Sequence, residues 1–309
     1  GVEWLETMAK MPATERRVRM PTSTDPRGTD FASAHKLKRQ PWMLDLEKRA
    51  IVAFEALGVL MTDTCINYQT IMPPVRGEHC AYGDTGVVIY SNSVCGARSN
   101  FEGGPSALSA GMTGRTPRYG YHLDEHRQAT LLVQVSFTPR ELNEWGALGG
   151  IVGRLAGDYW QVPALVGLDH VPTSDEMKHF GAALASFGSV ALFHIPGVTP
   201  EARSIAEAFA GRPVPPAVRI ERADFEAFYA SYAAPGDKVD VVVFAAPQLS
   251  LVEMAQVADL LDGRHVHAAT SLIVTTSPEI KFAADRMGLT RRIEDAGGIV
   301  AAGVCFYQS

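Results

Sequence analysis

Apolar and polar positions along this chain alternate between two rhythms. From about residue 170 onward, short apolar runs bounded by turn residues alternate with segments whose apolar positions recur every three or four residues. The first rhythm predicts strands over 190–195, 218–221, 239–245, 269–275 and 299–304. The second predicts helices over 174–187, 200–210, 223–232, 250–261 and 279–287. Asp175 and Glu176 open the helix at 174, where the helix dipole favours negative charge. The run 239–245 is apolar throughout its centre, as a strand buried on both faces requires. Strand and helix in strict alternation imply an α/β fold of mostly parallel sheet flanked by helices.

The first half is less regular. Helical spacing marks 1–10, 44–57 and 140–156, and Gly58 and Gly157 read as the stops of the last two. A helix over 105–112 begins at a proline, which suits a first turn. Strands are predicted at 18–20, 59–61 and 130–137, and 86–90 reads as a strand or a short helix. We divide the chain into a glycine-rich, site-bearing α/β region, 1–140, and a doubly wound α/β region, 141–309. Strand ends direct Gly197, Pro247, Thr276 and Cys305 to one edge, the edge where open α/β sheets bind ligands.

Segment 76–127 breaks both rhythms. Glycines at 77, 83, 86, 96, 103, 104, 111, 114 and 120 are interleaved with Glu78, His79, Asn92, Arg98, Ser99, Asn100, Glu102, Ser106, Arg115 and His122. Glycine lets backbone approach a ligand closely. Arg and Asn supply the forked and amide donors that a carboxylate takes. The plain alternative is a surface loop. A phosphate cradle of the Walker type is excluded, because no Gly-Lys-Ser/Thr follows.

Composition narrows the class. With 309 residues, 46% of them hydrophobic, the chain can build a sizeable core. A net charge of -6 argues against a nucleic-acid partner. The apolar runs are far too short to span a membrane, and no signal peptide opens the sequence. We therefore expect a cytoplasmic protein acting on a small molecule. The first residue is not Met and the last residues read as part of a strand, so we expect chain on either side of these residues. The four cysteines, Cys65, Cys80, Cys95 and Cys305, form no CxxC pair. They read either as buried free thiols or as thiolate ligands of iron. His265 and His267 alternate on a predicted strand, where exposure suits them better than metal binding. His126 reads as a surface residue.

The run YSNSVCGARSNFEGGPSALSAGMTGRTPRYGYH, residues 90–122, resembles the signature of the aconitase X family. The resemblance continues through GEH at 77–79, WGALGGIVGRLAGD at 145–158, ALFHIPGVTPEA at 191–202 and PQLSL at 247–251. It implies aconitase-like α/β domains without the small swivelling domain, which the family carries fused or as a separate partner. It implies a dehydratase acting on cis-3-hydroxy-L-proline, or alternatively on a phosphorylated mevalonate. A subunit that binds but does not catalyse is the third reading. An iron–sulfur cluster or iron would be the cofactor, held by Cys65 and Cys305. Cys65 stands in a TCINY motif where the family reads TCTPY; Cys305 stands at a late strand end. The family's third cysteine, in a GCPH motif, is missing: the chain reads Ala245-Ala246-Pro247-Gln248 there. Arg98, Ser99, Asn100, Glu102, Gly103 and His79 match family positions; the resemblance implies that they hold substrate or orient cluster ligands. Two rivals stay open: an ion pair for Glu102 and a packed ring for His79. The proton-abstracting base is expected on the swivelling domain.

Overall fold

The computed structural model describes residues 1–232, 236 and 238–305. The backbone packs into two compact units, each built from separated pieces of sequence. The first comprises residues 1–70, 108–115 and 236–309, the second residues 71–107 and 116–235. Among the described residues no helix is long and apolar enough to cross a membrane.

The second unit carries strands β1 (Leu131–Val135), β2 (Pro163–Val166) and β3 (Val218–Ile220), parallel in the order β2-β1-β3. Val133, Val135, Leu165 and Ile220 from this sheet meet Trp145, Leu148 and Val152 of helix Leu142–Ala156. Phe180 and Leu184 of helix Ser174–Gly188 complete that core. Each such side chain, once fully buried, contributes about 1.5–3 kcal/mol. Thr173 and Glu176 cap the second helix reciprocally, with Glu176 N donating to Thr173 Oγ1 at 3.3 Å and Thr173 N to the Glu176 carboxylate at 2.6 Å. The expected acidic first turn is therefore a capping box. The two helices approach closely because Gly149 and Gly188 carry no Cβ: one added at Gly149 would lie 2.3 Å from Phe180 O.

The first unit carries β4 (Val241–Leu249), β5 (Ser271–Thr276) and β6 (Gly298–Ala302), parallel in sequence order. Leu272, Val274 and Val300 pack on Met254, Val257, Ala284 and Ile293. Helix Leu251–Leu260 starts directly after β4 at the N-cap Ser250, and helix Pro278–Arg286 directly after β5 at the N-cap Ser277. The register slips between Phe244 and Leu249, which pair with Val274 and Thr276. The extra residues of β4 re-aim the side chains of 245–248, as a bulge does. The expected α/β class with parallel sheets flanked by helices is the one observed.

Some expected elements differ. Residues 190–195 form no strand. His194 makes one bridge to Ala164, and side chains satisfy part of the remaining backbone: Phe193 N donates to Ser93 Oγ and Ala191 O accepts from Asn92 Nδ2. At 59–61 there is one bridge, Ser23 to Leu60. The helix expected over 200–210 shortens to Ile205–Ala208, capped by Ser204. His265 and His267 lie in exposed irregular backbone rather than on a strand. Strand β2 and helix Leu289–Asp295 were not foreseen, nor was the π-helical turn Ser91–Cys95. The last four residues, read from sequence as the end of a strand, lie outside the described residues.

Candidate functional site

In the first unit, the C-terminal strand ends gather the residues that could hold a metal. Thr276 closes β5, and Cys305 follows β6. Gln248, fully buried, sits among them. Its Nε2 donates to Asp63 O and to Val304 O, both at 3.3 Å, and its Oε1 accepts from Cys65 N at 3.2 Å. Its backbone N–H points at Cys65 Sγ, 3.4 Å away. One side-chain amide thus joins the segment bearing Cys65 to the segment bearing Cys305. Gly303 brings the two closer still: its φ is +68°, and a Cβ there would lie 2.9 Å from the Asp63 Cβ. Asp63 itself adopts a left-handed φ of 51° and is buried. Burial pushes its carboxyl above the ordinary range, against the 3.0 Å ion pair with Arg27 and the bond from Thr24 Oγ1.

Both cysteines are buried and outside any disulfide, and an amide N–H aimed at sulfur suits a thiolate. Thiols are of the class that binds iron, and this unit offers two, Cys65 and Cys305; among the described residues no three His, Cys, Asp or Glu side chains converge as a metal site. Cys80 and Cys95 belong to the other unit, and burial pushes each thiol up to about 11, which keeps them protonated. Gly197, expected at the same sheet edge as Cys305, also belongs to the other unit.

In the second unit, segment 76–127 is organised by backbone pairing that its composition conceals. His79 bridges Arg98 and Tyr82 bridges Phe101, so 78–82 runs beside 98–102. Asn92 holds this pair from behind: Ser99 N donates to its Oδ1 at 2.9 Å and its Nδ2 donates to Ser99 O at 2.8 Å. Arg127, buried, donates to the carbonyls of Asn92, Ala97 and Tyr121 and pairs with Glu201 at 2.8 Å. These residues make the loop a fixed surface.

The expected site residues separate into two kinds on that surface. Ser99 is fully buried, its hydroxyl donating to Asn100 O. Asn100 accepts from Tyr121 N and Tyr159 Oη and donates to Tyr119 O. A Cβ at Gly120 would fall 2.3 Å from its Oδ1, so only glycine fits there. Arg98 donates to His122 O at 2.8 Å and pairs with Asp124. Ser99, Asn100 and Arg98 therefore fasten the site. Glu102 does not: it lines an open cavity of about 390 Å³ with Asn100, Phe101, Pro117, Tyr119 and Tyr159. Ser106 Oγ donates to its carboxylate at 2.7 Å. Gly103, exposed with φ +70°, starts helix Gly103–Thr113. His79 is exposed and stacks on buried His122, Nδ1 to Nδ1 2.8 Å apart. His122 Nε2 lies 3.9 Å from Glu102 Oε1. Burial, then the adjacent His79, holds His122 below the ordinary imidazole range.

Tyr159 and Arg127 were not expected. Burial pushes Tyr159 up to about 12, so it serves as a neutral donor. The aromatic pair Tyr159-Trp160, just past the helix stop at Gly157, was its only signal in the sequence. His194, within the run 191–202 that shares the family resemblance, is buried with Nε2 bonded to Arg127 O at 2.7 Å. His126 is exposed, as expected.

Comparison with known proteins agrees along the whole chain. Models of the aconitase X first, second and third domains match residues 1–125, 129–230 and 239–309. The phosphomevalonate dehydratase large subunit of Methanothermobacter thermautotrophicus is 38% identical over 99% of this chain and 73% of its own length. The cis-3-hydroxy-L-proline dehydratase of Pseudomonas aeruginosa is 31% identical over 99% of this chain and 52% of its own length. The crystal structure of Thermococcus kodakaraensis aconitase X in its holo-form superposes with a TM-score of 0.87 at 29% identity. It is matched over 100% of this chain and 75% of that one.

Proposed function

The chain belongs to the aconitase X family, and on that premise we propose that it is the large part of a hydro-lyase that dehydrates cis-3-hydroxy-L-proline. Loss of hydroxide from C3 and of the proton from C2 gives an enamine, which tautomerises to Δ1-pyrroline-2-carboxylate. One observation carries the choice of substrate: the cavity lining includes the carboxylate of Glu102 and no Lys or Arg. Glu102 can pair with the ring ammonium of an imino acid, whereas a phosphate calls for cations. A volume of about 390 Å³ suits a small acid. Phosphomevalonate is the second reading, favoured by identities of 38% and 35% to large subunits of that dehydratase.

His79, Glu102 and Gly103 face the substrate, and Arg98, Ser99 and Asn100 keep the surface in shape for it. Cys65 and Cys305 would hold iron or an iron–sulfur centre, whose part is to accept the departing hydroxide as a Lewis acid. A small swivelling domain or subunit supplies the base that takes the carbon proton; the relatives named large subunits support such a partner. Four cysteines outside any disulfide suit the reducing cytoplasm.

The test is turnover of both acids by anaerobically purified protein with its small partner, followed by NMR of the products. Consumption of hydroxyproline alone supports the reading, consumption of phosphomevalonate alone assigns the second, and consumption of neither contradicts both. Iron content tests the ligands. Cys65→Ser and Cys305→Ser should each lose iron, and Cys80→Ser and Cys95→Ser should keep it.

A further inference from the structure

We propose that Phe101, Tyr119 and Tyr159 wall a cage for a small alkylammonium ion around the Glu102 carboxylate. The cage makes the charged ring nitrogen of an imino acid the feature that the site reads. This deepens the dehydratase reading and rests on it.

Glu102 has acceptor capacity to spare. Its side chain is 8% exposed, and it is the one charged residue in the cavity lining. Ser106 Oγ donates to Oε2 of its carboxylate at 2.7 Å. The other oxygen, Oε1, has Asn100 Nδ2 at 3.5 Å and His122 Nε2 at 3.9 Å, both too long for a strong bond. A sheltered carboxylate oxygen without a close donor is best met by a charged N–H.

Most of the remaining wall is aromatic. Phe101 and Tyr159 stand with ring centroids 5.4 Å apart, inclined at 57°. The Tyr159 hydroxyl donates to Asn100 Oδ1 at 3.2 Å, which fixes its ring, and burial keeps the phenol neutral. Tyr119 and Trp160 meet edge to face, 5.8 Å apart. The rings are therefore in place before a ligand arrives. An alkylammonium carries much of its charge on the carbons bound to nitrogen, and aromatic rings attract such charge within about 6 Å.

Other ligand classes fit this lining poorly. A phosphate meets no Lys or Arg in it and is repelled by Glu102. A hard metal ion takes about six oxygens, and one carboxylate does not supply them. An uncharged apolar molecule would cover the carboxylate without pairing it, which is unfavourable. A secondary ring amine answers both halves of the site, with its N–H on Glu102 Oε1 and its methylenes against the rings.

Binding measured by calorimetry or NMR on the full-length protein with its small partner tests this. The probes are L-proline and tetrahydrofuran-2-carboxylate, in which a ring oxygen replaces the ammonium. At neutral pH the unaltered protein should bind proline at least about tenfold more tightly than the oxygen analogue. Tyr119→Leu and Phe101→Leu should each weaken proline about three- to tenfold and change the analogue by less than about twofold. Glu102→Gln should remove most of the difference between the probes. A merely structural role would weaken both probes alike, so equal losses in Tyr119→Leu and Phe101→Leu would overturn the cage. So would equal binding of the two probes by the unaltered protein, or no measurable binding of proline. If the protein dehydrates neither acid yet keeps this selectivity, the dehydratase reading fails and the cage stands. Dehydration of hydroxyproline without the selectivity leaves the reading and removes the cage.

Discussion

Cys65 and Gln248 bond to each other twice: Cys65 N–H donates to Gln248 Oε1 at 3.2 Å, and Gln248 N–H points at Cys65 Sγ at 3.4 Å. The same side chain also donates to Asp63 O and Val304 O. Gln248→Leu keeps roughly the volume but leaves Cys65 N, Asp63 O and Val304 O without that partner in a buried place. Each orphaned group costs about 1–3 kcal/mol. Relaxation shares the loss, so we expect urea denaturation to show a destabilisation on the order of 3 kcal/mol. A loss below about 0.5 kcal/mol, the low end for a single hydrogen bond, would mean that Gln248 does not hold these segments.

Arg127 is the second such fastener. Its guanidinium donates to three backbone carbonyls and pairs with Glu201. Breaking a buried pair from one side costs about 3–5 kcal/mol, since the remaining carboxylate and carbonyls lose their donors. Arg127→Met is expected in that range. Arg127→Lys should recover little of it, because one ammonium cannot reach the fork of acceptors that the guanidinium spans. If the Arg127→Lys variant matched the unaltered protein in chemical denaturation, this account would be contradicted.

Much of this architecture is legible in sequence, and what is not has physical causes. Gly58 and Gly157 end their helices with φ of 80° and 60°, as their positions after the last apolar residue imply. Thr173 and Ser250 cap with Glu three residues on, a local pattern any reader can find. Residues 190–195 mislead because they are buried without forming a strand: Asn92 and Ser93 bond to Ala191 O and Phe193 N from about a hundred residues away. The candidate site shows the same limit. The polar segment 76–127 announces a site but not its division of labour. That Ser99 faces inward and Glu102 faces a cavity depends on the pairing of 78–82 with 98–102. Gln248 stands out in sequence only as a departure, and its role follows from a slip in the β4–β5 register.

The approach of helices Leu142–Ala156 and Ser174–Gly188 gives a sharper mutational test. A Cβ at Gly188 would lie 2.4 Å from Gly153 O, and one at Gly149 would lie 2.3 Å from Phe180 O. Backbone oxygens cannot rotate away as side chains can, so the helices must separate. Overpacking of this kind costs about 1–3 kcal/mol or more. Gly149→Ala should reach that range in thermal or chemical denaturation. Gly146→Ala, on the same helix with no atom within 4 Å of the added carbon, should be neutral or stabilising by about 0.5–1 kcal/mol.

Acid sensitivity follows from His194. Its Nε2–H donates to Arg127 O, and its Nδ1 is buried without a hydrogen-bond partner. A second proton would place an unpaired N–H and a charge in the core, and burial accordingly holds the ring below its ordinary value. In the unfolded chain the same ring titrates near its ordinary value of 6.5. As pH falls below that value the unfolded state takes up a proton that the folded state refuses, so folding weakens with each step downward. The contribution is complete above the unfolded value and is lost as pH drops toward the folded one. Burial also holds His122 low, and it adds a loss of the same sign. Urea midpoints measured from about pH 7.5 down to about pH 5 should therefore fall. His194→Gln should make that fall shallower while keeping a donor for Arg127 O. A variant whose midpoints decline as steeply as those of the unaltered protein would show that His194 carries none of the effect.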